Sequence, residues 1–282
     1  MSLLSNIIMI MPKATAPVNT VAPAVTGTAA VGATLSSTTG TWTGTPTITY
    51  AYQWQHTTTN IGGATSSTYV VESAYTGETI RCVVTATNGA GSVAANSNST
   101  SAVIQYATWN PSDKNANLAL SNGNRTATGW VTNWAAVRAT LGKSSGKWYW
   151  EVHWDTSDSA AVALGIGTSS ASIANGNFPG TDANGHGYYY SNGNYYTGNS
   201  PSAYGAGFAP GDTIGFALDM TGGTLTIYKN NSSQGVMVSG LSGTFYPMLG
   251  AGAAGAPILT ANFGLTAFTY TPPSGYNSGV YI

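Results

Sequence analysis

Charge is what this sequence has least of. Its 282 residues include 8 Lys and Arg and 9 Asp and Glu, 6% in all, for a net charge of −1. No basic run exists and Arg does not interleave with aromatics, so the electrostatic footprint of a nucleic-acid binder is missing. No apolar run approaches the ~20 residues of a membrane-spanning helix. One cysteine, Cys82, excludes an internal disulfide and argues against routine secretory maturation. Apolar residues nevertheless make up 42% and aromatics 11%, enough to fill real cores, so disorder is excluded. The length predicts two domains. Their surface must be Thr, Ser, Asn and Gly, a composition that fits proteins living outside cells.

No 3.6-residue period of useful length appears, whereas period-two alternation recurs. Over 47–54 it puts Ile48, Tyr50, Tyr52 and Trp54 on one face, and over 79–86 it turns Ile80, Cys82, Val84 and Ala86 inward. Further on, Val162, Leu164 and Ile166 share a face, as do Ile214, Phe216, Leu218 and Met220, with Leu225 and Ile227 continuing after Gly222-Gly223. The fold class is therefore all-β. An apolar amino-terminal segment containing Leu3, Leu4, Ile7, Ile8 and Ile10 precedes the first turn-rich stretch. A signal peptide would carry Lys or Arg before that run; none is there, which favours a docking arm over residues 1–16.

Tyr52-Gln53-Trp54-Gln55, Ile61-Gly62-Gly63-Ala64-Thr65 and 77–88 around Cys82 resemble a bacterial or phage immunoglobulin-like repeat over 17–104. The resemblance implies a sandwich with Trp54 and Cys82 in its core. Leu35 stands about where the partner cysteine would be and Ile80 where a corner tyrosine would be, which removes the disulfide. After a link at 105–108, Gly146-Lys147-Trp148-Tyr149-Trp150-Glu151-Val152, Gly211 to Asp219, Gly223 to Asn230, Phe245-Tyr246-Pro247 and Ala261-Asn262-Phe263-Gly264 look like a SPRY domain over 109–282. That implies a bent, concanavalin-like β-sandwich whose loops bind proteins, peptides or glycans. The stretch 268–276 resembles the close of phage and bacterial SPRY domains.

These resemblances carry an expectation of a non-enzymatic bacteriophage virion protein: a head decoration, head fibre or tail fibre at the virion surface. Its arm would dock on other virion proteins within an oligomer or larger assembly, and its SPRY domain would contact a host-surface glycan or protein. A secreted or cell-surface bacterial adhesin is the alternative, and a glycan hydrolase a further one. The hydrolase needs two facing carboxyls. Glu151 shares a face with His153, near Asp155, but the SPRY pattern already uses Glu151 as a structural residue, and no second carboxyl can be named. Asp155, Asp158 and Asp182 match no calcium loop. Gly250 to Ala256 fits a dinucleotide-binding fingerprint, yet Pro257 follows where a helix should begin. His56, His153 and His186 are scattered. No catalytic residue, metal or cofactor is therefore expected.

The tyrosine-rich run from His186 to Tyr196, with an Asn192-Gly193 turn and Tyr204 beyond, has paratope-like composition. Tyr189, Tyr195, Tyr196 and Tyr204 are the candidate binding residues, with Trp130 and Trp134 on a converging loop. The opposing reading is that half of the tyrosines pack the core, Tyr188 and Tyr190 pointing inward together.

Overall fold

The computed structural model describes residues 13–129, 133–156, 161–252 and 255–282. Among them the chain is all-β, with one short 3₁₀ turn at Ser73–Tyr75. Among the described residues no helix is long and apolar enough to cross a membrane. Two compact units divide it, the first ending at Gln105 and the second running from Tyr106 to Ile282.

In the first unit, a four-stranded antiparallel sheet runs in the order Thr59–Asn60, Thr49–His56, Ile80–Asn88, Gly91–Asn96. Val25–Thr26, Thr34–Ser37 and Thr68–Val70 form a three-stranded sheet, and Thr15–Val21 pairs with Thr41–Thr45. Alternation along Ile80–Asn88 leaves Ile80, Cys82, Val84 and Ala86 wholly buried. Trp54 lies directly across from Cys82, and both pack with Leu35, Val25 and Tyr69 in one core. The Trp54 indole N–H donates to Ser66 O at 2.9 Å, satisfying the ring's one polar atom. Tyr50 keeps the face of Trp54, opposite buried Ala86, but is 39% exposed and leans on Trp42.

The second unit has two large sheets. One takes the order Trp109–Lys114, Ala135–Ala139, Tyr246–Gly252, Ala161–Gly167, Gly185–Tyr189, Tyr195–Thr197, Ser200–Ser202. The other, eight-stranded, takes the order Leu118–Ser121, Thr126–Gly129, Ile258–Asn262, Lys147–Trp154, Thr213–Asp219, Thr224–Lys229, Ser232–Ser239, with Asn277–Ser278 pairing in parallel with Lys147–Trp154 off that path. Their inner faces share one core, in which Trp150 stacks on Phe216 at 5.0 Å beside Val162, Leu164, Leu249 and Tyr188. The ends of the unit meet: Tyr106 bridges Tyr281, Ala107 N donates to Val280 O at 2.7 Å, and Lys143 Nζ donates to Tyr281 O.

Pleating sends Trp150, Val152 and Trp154 into the core and Tyr149, Glu151 and His153 to the opposite face. That face is not open at Glu151, which is 2% exposed beneath the carboxy-terminal segment. Its carboxylate accepts from the backbone N–H of Thr269 at 2.8 Å and of Tyr270 at 2.9 Å, and from the Tyr149 hydroxyl at 3.0 Å. Tyr149 meets Phe268 edge-on at 5.1 Å, and its hydroxyl sits where a Cβ on Gly215 would fall, 2.4 Å away. One buried carboxylate thus clasps the strap that covers the sheet.

Two outcomes follow from these cores. Cys82 has no disulfide partner, and burial pushes its thiol above the usual range. A thiol reagent should label it slowly in the native protein and fully in denaturant. Glu151→Ala should lower the stability of the second unit by about 1–3 kcal/mol in chemical unfolding, because two buried amides and a phenol lose their acceptor. Glu151→Gln, which retains one acceptor oxygen, should cost less.

Candidate functional site

The outer face of the seven-stranded sheet is built by the same pleat. Tyr188 is wholly buried, so Gly185, Gly187 and Tyr189 point outward. Cross-strand partners follow the same parity: Ala163 lies opposite both Tyr189 and Gly250, and Gly165 opposite both Gly187 and Met248. The middle of this face is therefore mostly glycine and alanine, with Met248 packed against Ala171 of the connection above it.

The 168–184 connection occupies that space. A Cβ on Gly250 would come within 2.6 Å of Phe178 Cβ, and one on Gly187 within 1.9 Å of Pro179 O. Gly252 is likewise closed by Trp134 at 2.8 Å. Arg138, 6% exposed, holds one end of the connection: it bonds both carboxylate oxygens of Asp113 at 2.7 Å and also donates to Ala171 O. The Asp182 carboxylate holds the other end, accepting from Ser172 N at 2.7 Å and Asn184 N at 2.8 Å.

Seated this way, Phe178 is buried below a ring cluster. It lies 4.6 Å from Trp134, 5.4 Å from Tyr196 and 5.9 Å from Tyr189. Tyr189 is the hub, with Tyr190 and Tyr196 each at 5.2 Å and Trp134 at 5.7 Å. Trp134, Tyr189, Tyr190 and Tyr196 are half-buried. Burial, and then the neighbouring phenols of Tyr190 and Tyr196, raise the Tyr189 pKa, so its hydroxyl stays protonated at neutral pH.

Three of the residues singled out from sequence thus come together here: Trp134, Tyr189 and Tyr196. Tyr195 and Tyr204 do not join them. Tyr195 is the cross-strand partner of Tyr188 and shares its inward side, its hydroxyl 2.7 Å from His186 Nδ1. Tyr204 packs edge-on to Tyr188 and donates to Gly235 O at 2.6 Å. Trp130 and the arm residues Leu3, Leu4, Ile7, Ile8 and Ile10 lie outside the described residues, as does Asp158. Phe178 and Tyr190 are the members that sequence reasoning missed. Phe178-Pro179-Gly180 in a long connection was the only signal for the first; Tyr190 was read as inward, and it does pack on Trp154 while also touching Tyr189. Among the described residues no three His, Cys, Asp or Glu side chains converge to hold a metal.

Residues 147–266 match the sequence profile of the SPRY domain, and the second unit therefore contains one. Ran-binding protein 10 of Danio rerio is 31% identical over 170 residues, 57% of this chain and 28% of that protein. Ran-binding protein 9 of Homo sapiens is 29% identical over 170 residues, 57% of this chain and 23% of that protein. The chain thus spans less than a third of the length of either relative. The SPRY domain of human HERC1 aligns with a TM-score of 0.49 at 18% identity, covering 54% of this chain and 96% of that chain.

These relatives overturn the virion reading. They are eukaryotic proteins, and they align over more than half of the chain. The expected decoration or fibre role, the virion partners reached through the arm, the host-surface ligand and the virion-surface location do not hold, and the bacterial adhesin falls with them. The error has a physical source. Within the matched stretch the residues that carried the resemblance, Trp150, Glu151, Val152, Ile214 and Phe216, are all buried, so they define a scaffold and carry no mark of its origin.

His186 gives this edge of the sheet a pH dependence. Burial lowers its pKa below the usual 6.5, so the folded unit prefers the neutral ring. The stability this contributes is complete above the unfolded value and is lost as pH falls through the lower folded one. Melting temperature should drop between about pH 7 and pH 5, and His186→Gln should flatten that slope.

Proposed function

We propose that the chain is a non-catalytic protein-interaction module, and that its SPRY domain receives a partner protein on the outward face of Trp134, Tyr189 and Tyr196, with Phe178 beneath them. The observation that carries this reading is the ring cluster on a face from which backbone crowding has removed most other bulky side chains. Half-buried aromatic rings offer large contact area at little entropic cost, which is why such residues dominate binding hot spots. The names of the relatives say that they bind the protein Ran, and a protein partner is the reading carried over to this chain.

Two features favour binding over catalysis. Glu151 is enclosed by donors from the strap, and the Asp155 carboxylate accepts from Thr260 at 2.7 Å. The aromatic cluster offers no nucleophile–base pair. We read the first domain, 17–104, as an immunoglobulin-like sandwich joined through 105–108 to the SPRY domain at 109–282. Support comes from its four-stranded and three-stranded sheets, which share one core around Trp54 and Cys82 without a disulfide. Its role is to carry or space the binding domain.

Binding titrations against a protein captured from animal cell extract test the reading. Tyr189→Ala and Tyr196→Ala should each weaken binding by about 1–3 kcal/mol, roughly 5- to 150-fold, while Tyr204→Phe, on the other side of the sheet, changes little. Affinity should vary little with salt, because the face is uncharged. Unchanged affinity in both alanine variants, with melting temperatures retained, would refute this assignment.

A further inference from the structure

We infer that the ring cluster takes one chemical class of partner segment: an extended, uncharged, proline-containing peptide in the polyproline II conformation. The inference rests on the reading of that face as the binding surface, and three features narrow the ligand.

The first is hydrogen-bond polarity. Polar atoms of the tyrosines turned inward are committed: Tyr188 donates to Ala206 O, Tyr204 to Gly235 O, and Tyr195 meets His186. The hydroxyls of Tyr189, Tyr190 and Tyr196 and the indole N–H of Trp134 make no hydrogen bond among the described residues. The face thus offers several donors beside bare rings. Proline has a carbonyl and no N–H, so a proline-rich segment supplies acceptors and leaves few donors to be satisfied. Its backbone is extended before binding, which reduces the ordering entropy.

The second is charge. None of the ring contacts involves a charged side chain; the cation–π contacts of the described residues fall on Trp148 and Tyr276. The Asp182 carboxylate in the adjoining connection is committed to Ser172 and Asn184. A cationic side chain would find rings but no free carboxylate there. A glycan brings many hydroxyls that must all be paired, and the face has only three phenols and one indole N–H to pair with them.

The third is a precedent within the molecule. The chain's own Phe178-Pro179 already lies across this face, with Pro179 over Gly187. Pro201 is the cross-strand partner of Tyr196. Proline beside tyrosine is the packing this surface already uses.

The test is selection of short random peptides on the intact chain, followed by fluorescence anisotropy with a selected peptide. Neutral, proline-containing sequences should be enriched. Replacing the prolines of a selected peptide by alanine should raise Kd roughly tenfold or more, as should Tyr189→Ala in the protein. Tyr189→Phe, which keeps the ring and removes the donor, should give a smaller rise. Selected peptides that lack proline yet depend on Tyr189 and Tyr196 would overturn this inference and leave the binding face standing. Selection indifferent to both tyrosines, or no peptide binding at all, would overturn both.

Discussion

The outer face of the seven-stranded sheet depends on missing atoms. Gly187 and Gly250 have no Cβ, and only for that reason can Phe178 and Pro179 lie at backbone contact with the strands beneath. A side chain at either position would lift the 168–184 connection. Phe178 would then leave Trp134, Tyr189 and Tyr196, and the cluster would lose the ring on which it is assembled. The aromatic surface is thus as much a product of glycine as of tyrosine.

The opposite sheet solves the same problem with different chemistry. A face that is neither core nor free surface must be covered, and covering it buries backbone amides that need acceptors. Glu151 supplies them on one side, clasping Thr269 and Tyr270. Arg138 supplies the counterpart on the other, donating to the Ala171 carbonyl while Asp113 balances its charge. In a chain with so few charges, a carboxylate and a guanidinium are placed where a segment must be fastened down.

How far all this could be read in advance follows from the range of each signal. Alternation is local, and it correctly turned Cys82, Val84, Leu164, Phe216 and Tyr188 inward. The glycine-punctuated strands were legible for the same reason, whereas the SPRY scaffold was legible only through the resemblance of its ordered motifs, from Gly146 to Gly264, to that family. The side taken by Tyr195 was not. It depends on the length of the connection around Asn192-Gly193, which makes Tyr195 the partner of Tyr188 and so sends both the same way. Phe178 was hidden because its burial is decided by strands far off in sequence. The biological source was misread because buried scaffold residues answer to packing and not to habitat.

The closure of the SPRY unit has a consequence for how it can be deployed. Tyr106 and Tyr281 pair with one another, so the polypeptide enters and leaves the sandwich at a single point. A host protein could accept such a unit within one of its surface loops as though it were a longer loop. The entropic toll of that lengthening grows only logarithmically, and neither flank would need to stretch. This geometry makes the domain portable among unrelated architectures.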